Sequence, residues 1–346
     1  MIPIRNIYFM LSYAWGRLEQ ADLVGVSTEN IDTLPDLLAS VLSRGVQKCL
    51  KDGLDRGYRE QLEECAVVRG RLDVETSVRR FLLRQGRAVC HVDELTSDIL
   101  VNQIVKTTML QLARAPSLSS ELRHQLAVLA RRMANVKTIS LSQRDFHRVQ
   151  LHSNNSFYRF LLDVCRLIHE DLLVNSANGD YSFRSFVEDE HAMRRLFQAF
   201  VTNLLRHHQK VFAVSNDRFR WDIKAPDDQT NLLMPMMETD ITLHSPQRVI
   251  VVDTKFSKSA FQRRFERDKL RSEHLYQLFA YLKNLESKGN GYSSADGILL
   301  YPTVDKPVHF TTTVQGHRLS VRTVDLSQPP ATIREEVLSL LEPVLT

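Results

Sequence analysis

The chain has 346 residues, 43% hydrophobic and 25% charged, which suits about two soluble domains and excludes a disordered, collagenous or disulfide-dense protein. Lys and Arg number 45 against 41 Asp and Glu, a net charge of +4, too mild by itself to indicate nucleic acid. No apolar run approaches the roughly 20 residues of a membrane span, and the opening Met1-Ile-Pro-Ile-Arg5 has no basic-then-apolar signal pattern.

The first half predicts a mixed, helix-rich α+β domain. Leu34, Leu37, Leu38, Val41, Leu42, Cys49 and Leu50 recur at helical spacing between Thr33, a good N-cap, and Gly53, a good terminator. Ala66–Asp73 and Arg87–Val92 read as short strands. Helical periodicity returns over 98–114, 119–134 and 157–173. The polar run Asn175-Ser-Ala-Asn-Gly-Asp180 marks a boundary, so domains are expected at 1–175 and 176–346. The second half predicts an α/β unit: a helix over 188–209, strands over 211–221, 237–244 and 248–256, a helix over 267–285, strands near 295–301, 308–313 and 317–324, and a last helix from Ala331.

The charge excess is local. Residues 256–271 hold six basic side chains (Lys258, Arg263, Arg264, Arg267, Lys269 and Arg271) and two acidic ones, leaving 39 of each sign elsewhere. This segment is a candidate phosphate-binding patch; a solvated helix face is the alternative. Cys49, Cys65, Cys90 and Cys165 lack Cys-x-x-Cys spacing and read as buried thiols. The histidines show no His-Glu-x-x-His pattern, and no G-x-x-x-x-G-K-[ST] loop occurs, so neither a zinc enzyme nor a P-loop motor is expected.

Two consecutive strands carry the chemistry. Met237-Glu-Thr-Asp240-Ile-Thr-Leu and Arg248-Val-Ile-Val-Val-Asp253-Thr-Lys255-Phe are separated by the turn Ser245-Pro-Gln247, which predicts an antiparallel hairpin. Asp253 and Lys255 are two apart and share a strand face. The apolar run before them is that of a strand buried on both sides, where unpaired charges are costly. The hairpin brings Asp240 beside Asp253. Two carboxylates suit Mg2+, the backbone carbonyl of Thr254 is a further candidate ligand, and Lys255 is placed to orient water and stabilise a phosphorane-like transition state. Gln277 and Tyr281 share a face of the next helix. Glu190, at the start of the 188–209 helix, is a further candidate ligand, or simply an acid favouring the helix dipole.

The order helix, strand with Asp, strand with Asp-x-Lys, helix is that of PD-(D/E)xK nucleases. Beyond it, Ile2-Pro-Ile-Arg-Asn-Ile-Tyr-Phe-Met-Leu-Ser-Tyr-Ala-Trp15, Val68-Arg-Gly-Arg-Leu72, Asp93–Asn102, Met237–Ile241, Val251–Phe256 and Leu275–Leu278 make the chain resemble the McrC family, the nuclease subunits of McrBC-type restriction systems. Thr239 stands where the nuclease motif often has Pro. The resemblance implies a cytoplasmic Mg2+-dependent endonuclease with a C-terminal PD-(D/E)xK domain of mixed sheet flanked by helices. It implies double-stranded DNA with modified cytosine as substrate. It also implies a McrB-like AAA+ GTPase hexamer as partner, into which the N-terminal domain docks and whose GTPase it stimulates. Arg5, Tyr8 and the strands near Arg69 and Arg71 are the candidate contacts; Tyr8, Met10, Leu11 and Trp15 also read as core. A non-catalytic adaptor of an AAA+ motor and a standalone repair or junction nuclease remain alternative readings.

Overall fold

The computed structural model describes residues 2–20, 31, 33–151, 155–174, 181–183, 189–223, 233–256, 261–264, 267–289, 291–303 and 307–342. The chain forms two compact units: residues 20–184, and residues 1–19 together with 185–346. The first helix, α1 (Ile4–Ala14), therefore belongs with the second half of the sequence. This corrects the expected 1–175 domain. Helical periodicity reveals an apolar face but not its partner, and the expected boundary at 175–180 lies outside the described residues.

The 20–184 unit begins with α2 (Leu34–Asp52). Thr33 Oγ1 accepts from the Asp36 N–H at 3.2 Å, and Gly53 ends the helix with φ 93°, a backbone angle that favours glycine. Strand β1 (Gly57–Cys65), which the periodicity does not announce, pairs antiparallel with β3 (Ala88–Thr96), and β2 (Arg71–Asp73) pairs with β3 on its other side. The expected strand over 66–73 is thus confined to its last three residues. β1 alternates poorly because most of its side chains are exposed on both faces. Helix α3 (Val74–Arg79) follows β2. The predicted helices are α4 (Leu100–Leu112), α5 (Ser120–Arg132) and α7 (Ser156–Asp171), with a short α6 (Gln143–Arg148) before α7. Strands β4 (Leu172–Val174) and β5 (Tyr181–Phe183) pair antiparallel.

The second unit is α/β. Helix α8 (Glu190–His208) is capped by Asp189, whose Oδ1 accepts from the His191 and Ala192 amides at 2.9 and 3.1 Å. Its buried stripe, Met193, Phe197, Phe200, Val201 and Leu204, takes α1: Phe9 and Tyr13 rings lie 5.5 and 5.6 Å from Phe200. Asn203 Nδ2 donates to the Tyr13 and Ala14 carbonyls. Next come β6 (Ala213–Ser215), the two-residue strands β7 (Arg218–Phe219) and β8 (Met237–Glu238), which pair with each other, then β9 (Ile241–His244) and β10 (Val249–Thr254). The expected long strands at 211–221 and 237–244 are each broken, the second at Thr239-Asp240.

Strands β11 (Phe261–Arg264) and β12 (Arg267–Leu270) form a hairpin, and helix α9 (Ser272–Leu285) begins only after it. The expected helix over 267–285 is corrected at its start, because tertiary pairing of Arg267–Leu270 with Phe261–Arg264 overrides local propensity. β13 (Asp296–Thr303), β14 (His309–Val314), β15 (His317–Asp325) and α10 (Pro330–Leu338) complete the unit. The six-stranded sheet runs β14-β15-β13-β10-β9-β6. β13 is parallel to β10 and β15, and the remaining pairs are antiparallel. Val249, Val251, Leu299 and Tyr301 pack under Leu278, Tyr281, Leu282 and Leu285 of α9. Gly297 permits that approach: a Cβ there would lie 2.8 Å from Leu282 Cδ1 and 2.9 Å from Leu319 Cδ2.

Candidate active site

The site lies where β10 ends, beneath the first turns of α9. Asp253 is the fifth residue of a strand whose six residues are all buried, because apolar neighbours cover both faces. Asp253 is fully buried and Lys255 is 4% exposed. They are the expected pair: Lys255 Nζ stands 2.8 Å from Asp253 Oδ2. Apart from this ion pair, neither Asp253 oxygen has a hydrogen-bond partner among the described residues. Burial pushes the Asp253 carboxyl up to about 6; the Lys255 cation opposes that and Asp240 adds to it.

Asp240 arrives from the break just before β9. The antiparallel register pairs Val252 with Ile241, so its continuation sets Asp240 opposite Asp253. Asp240 Oδ2 accepts two hydrogen bonds from Thr254, from its N–H and its Oγ1, each at 2.8 Å. This fixes the backbone that carries the Thr254 carbonyl. The break between β8 and β9 is itself held: Asn216 Nδ2 and Gln198 Nε2 donate to the Asp240 carbonyl, and Thr239 Oγ1 accepts from the Asp217 N–H. Asp217 accepts from Tyr292 OH at 2.7 Å and Ser215 Oγ at 2.8 Å, with His244 Nε2 at 3.2 Å. Burial works against its charge, but these hydrogen bonds and His244 hold the carboxyl below its usual range.

Gln277 joins the site as expected. Lys255 Nζ donates to Gln277 Oε1 at 2.8 Å, and Gln277 Nε2 donates to Tyr281 OH at 2.7 Å. The chain Asp253–Lys255–Gln277–Tyr281 thus sets the position of the ammonium. Glu190 is not gathered in: it is exposed in the first turn of α8, and no three His, Cys, Asp or Glu side chains form a metal-sized cluster among the described residues. Of the basic segment, Lys258 lies outside the described residues. Arg263, Arg264, Arg267 and Lys269 lie on the β11–β12 hairpin with side chains outside them. Arg271 occupies the N-cap position of α9 without a side-chain cap, and its Nη1 is 3.6 Å from Glu273 Oε1.

Three residues escaped the sequence reading. Arg194 lies one turn after Glu190 on α8, and its charge reaches Asp253, His274 and Tyr281. His274 lies one turn before Gln277 on α9, a spacing that could have flagged it. Tyr301 enters through the parallel β10–β13 register, which a sequence cannot specify.

Two carboxylates, one with both oxygens buried and partnered among the described residues only by Lys255, form a hard-oxygen donor set. That suits a cation which keeps waters and substrate oxygens in its shell, as Mg2+ does, better than one needing an all-protein cage.

Comparison with known proteins bears on this arrangement. A family described as "McrBC 5-methylcytosine restriction system component" matches residues 5–302. The chain belongs to this McrBC component family. It is 32% identical over 345 residues, covering 100% of this chain and 99% of the relative, to the protein described as "Type IV methyl-directed restriction enzyme EcoKMcrBC" of Escherichia coli K12. Among solved structures, a chain from the assembly of Thermococcus gammatolerans McrB AAA+ hexamers with bound McrC matches with a TM-score of 0.57 and 16% identity, over 96% of this chain and 76% of that one. At that identity the likeness to the McrBC assembly is one of fold. The mixed α/β architecture agrees with the expected class.

Proposed function

We propose that this chain is the endonuclease subunit of a GTP-driven, modified-cytosine-dependent restriction complex, and that residues 185–346 form a PD-(D/E)xK domain. The observation that supports it most is the convergence of Asp240, Asp253 and Lys255 at the adjoining ends of β9 and β10, with Asp253 buried and partnered among the described residues only by Lys255. Family membership and the relative named as a methyl-directed restriction enzyme support the same reading.

Asp240, Asp253 and the Thr254 carbonyl would hold Mg2+, which when bound supplies Lewis-acid stabilisation at the scissile phosphate. Thr254 orients Asp240 through two hydrogen bonds. Gln277 restrains Lys255, whose ammonium orients the attacking water and offsets charge building on the phosphoryl oxygens. Apolar walls keep competing water from the ion pair and strengthen it. The basic side chains at 258–271 contact flanking phosphates.

The 20–184 unit is the part that docks on a McrB-like AAA+ GTPase and stimulates it. Its support is apolar exposure concentrated at 58–95: Tyr58 is 77% exposed, Val67 71% and Phe81 64%. A soluble protein leaves such patches mainly where a partner covers them. Arg69 and Arg71 are exposed in the same stretch, whereas Arg5 and Tyr8 belong to the other unit. Among the described residues no helix is long and apolar enough to cross a membrane.

The chain, combined with its AAA+ partner, GTP and Mg2+, should cut a cytosine-methylated plasmid and spare the unmethylated one, and a chelator should stop cleavage. Equal cutting of both plasmids with no partner present would instead favour a standalone nuclease.

A further inference from the structure

His274 and Gln277 lie one turn apart on α9, with Tyr281 one turn further, so the three form one stripe of the helix. The β10–β13 register pairs Asp253 with Leu299. Its continuation puts Tyr301 beside Lys255, on the same face of the sheet. Gln277 receives Lys255, and His274 receives Tyr301: Nδ1 and the phenol oxygen are 2.8 Å apart.

Burial fixes the direction of that hydrogen bond. Tyr301 is fully buried, and among the described residues its hydroxyl has no other hydrogen-bond partner. A buried hydroxyl proton without an acceptor is costly, so the phenol donates and Nδ1 accepts. The ring is neutral, because burial, then the Lys255 cation, push its pKa down to about 4. A neutral imidazole that accepts at Nδ1 carries its proton on Nε2. The side chain is 15% exposed, and among the described residues Nε2 has no hydrogen-bond partner, which leaves this N–H available to a ligand. Glu273 Oε1 lies 3.9 Å away, beyond hydrogen-bond distance, on a side chain that is 66% exposed. Lys255, Arg271 and Arg194 place positive field at the ring, and the exposed Glu273 carboxylate opposes it in part. An anion is what such a spot attracts.

Resting on the nuclease reading above, we propose that His274 is a catalytic residue whose Nε2–H donates to a non-bridging oxygen of the scissile phosphodiester, beside Lys255. It stabilises the charge that accumulates there as water attacks phosphorus and the leaving oxygen departs. The donor is preorganised, since the Tyr301 hydroxyl holds the ring in one tautomer and one orientation.

Two substitutions separate the two ring nitrogens. His274→Asn places an amide oxygen where Nδ1 accepts and removes the outer N–H. His274→Gln places an amide N–H near Nε2. Each full-length variant is assembled with the AAA+ partner, GTP and Mg2+, and single-turnover cleavage of methylated plasmid is measured beside GTPase stimulation. We expect His274→Asn to slow cleavage roughly 100-fold, His274→Gln to recover most of the rate, and GTPase stimulation to stay at the wild-type level in both. A phosphorothioate at the mapped cut should slow the wild type and add little to the Asn defect. Asn cutting at the wild-type rate, Asn and Gln equally slow, or one sulfur effect shared by Asn and wild type overturns the assignment alone. A wild-type complex that cuts nothing overturns the nuclease reading and the assignment with it.

Discussion

Asp253 and Lys255 place opposite charges where almost no water reaches, 2.8 Å apart. Removing one partner of such a pair leaves the other buried and uncompensated. Lys255→Met should therefore cost about 3 kcal/mol of stability as well as cleavage, read as a lower urea midpoint. A midpoint at or above the wild-type value would show that the pair is not a closed buried unit. Asp217 makes a pH-dependent contribution. Its folded carboxyl lies below its ordinary value, so the stability it adds is present above the unfolded pKa and is lost as pH falls through the folded one. Asp217→Asn should cost about 2 kcal/mol near neutral pH, and the gap between variant and wild type should close below about pH 4. A gap constant from pH 7 to pH 3 would contradict this. Asp240, Asp253, Lys255 and Gln277 were legible because strand alternation and helical spacing suffice to bring them together. His274 was within reach of the same helical spacing; Arg194 and Tyr301 were not legible, since their place depends on which face α8 presents and on the parallel register.

Helix α9 is the element on which the site depends, because one stripe carries His274, Gln277 and Tyr281. Its seat is Gly297, where a side chain would meet Leu282, Leu319 and Leu278 within 3.0 Å. Gly297→Val should push α9 off β13, cost about 2 kcal/mol, and lower cleavage more than GTPase stimulation. Unchanged thermal unfolding and cleavage would mean that the helix has slack. The interior of α9 was plain from the periodicity of Leu278, Tyr281, Leu282 and Leu285. Its start was not: Arg267–Leu270 has a helix-compatible composition and becomes a strand by pairing with Phe261–Arg264. β1 was missed for a related reason, since its burial pattern shows no alternation. The apolar side chains of this region face outward, so they mark a surface and not a core.

At the scale of the whole chain, the two units divide the proposed labour: residues 20–184 for the partner, residues 1–19 with 185–346 for DNA. The net charge of +4 is small for a DNA enzyme and is concentrated in the segment that follows Lys255. A cleavage unit held on its substrate by a motor needs phosphate affinity only near the scissile bond. The sequence announced two units but misplaced α1, whose partner α8 lies more than 170 residues away; separation on that scale leaves no local signal. Division of labour makes the two activities separable. The most direct test is Asp253→Asn, which keeps side-chain volume, assembled with its AAA+ partner, GTP and Mg2+ on methylated plasmid, with cleavage and GTP hydrolysis read in one reaction. The nuclease assignment predicts GTP hydrolysis stimulated as by the wild type and cleavage lost. Cleavage at the wild-type rate would contradict it.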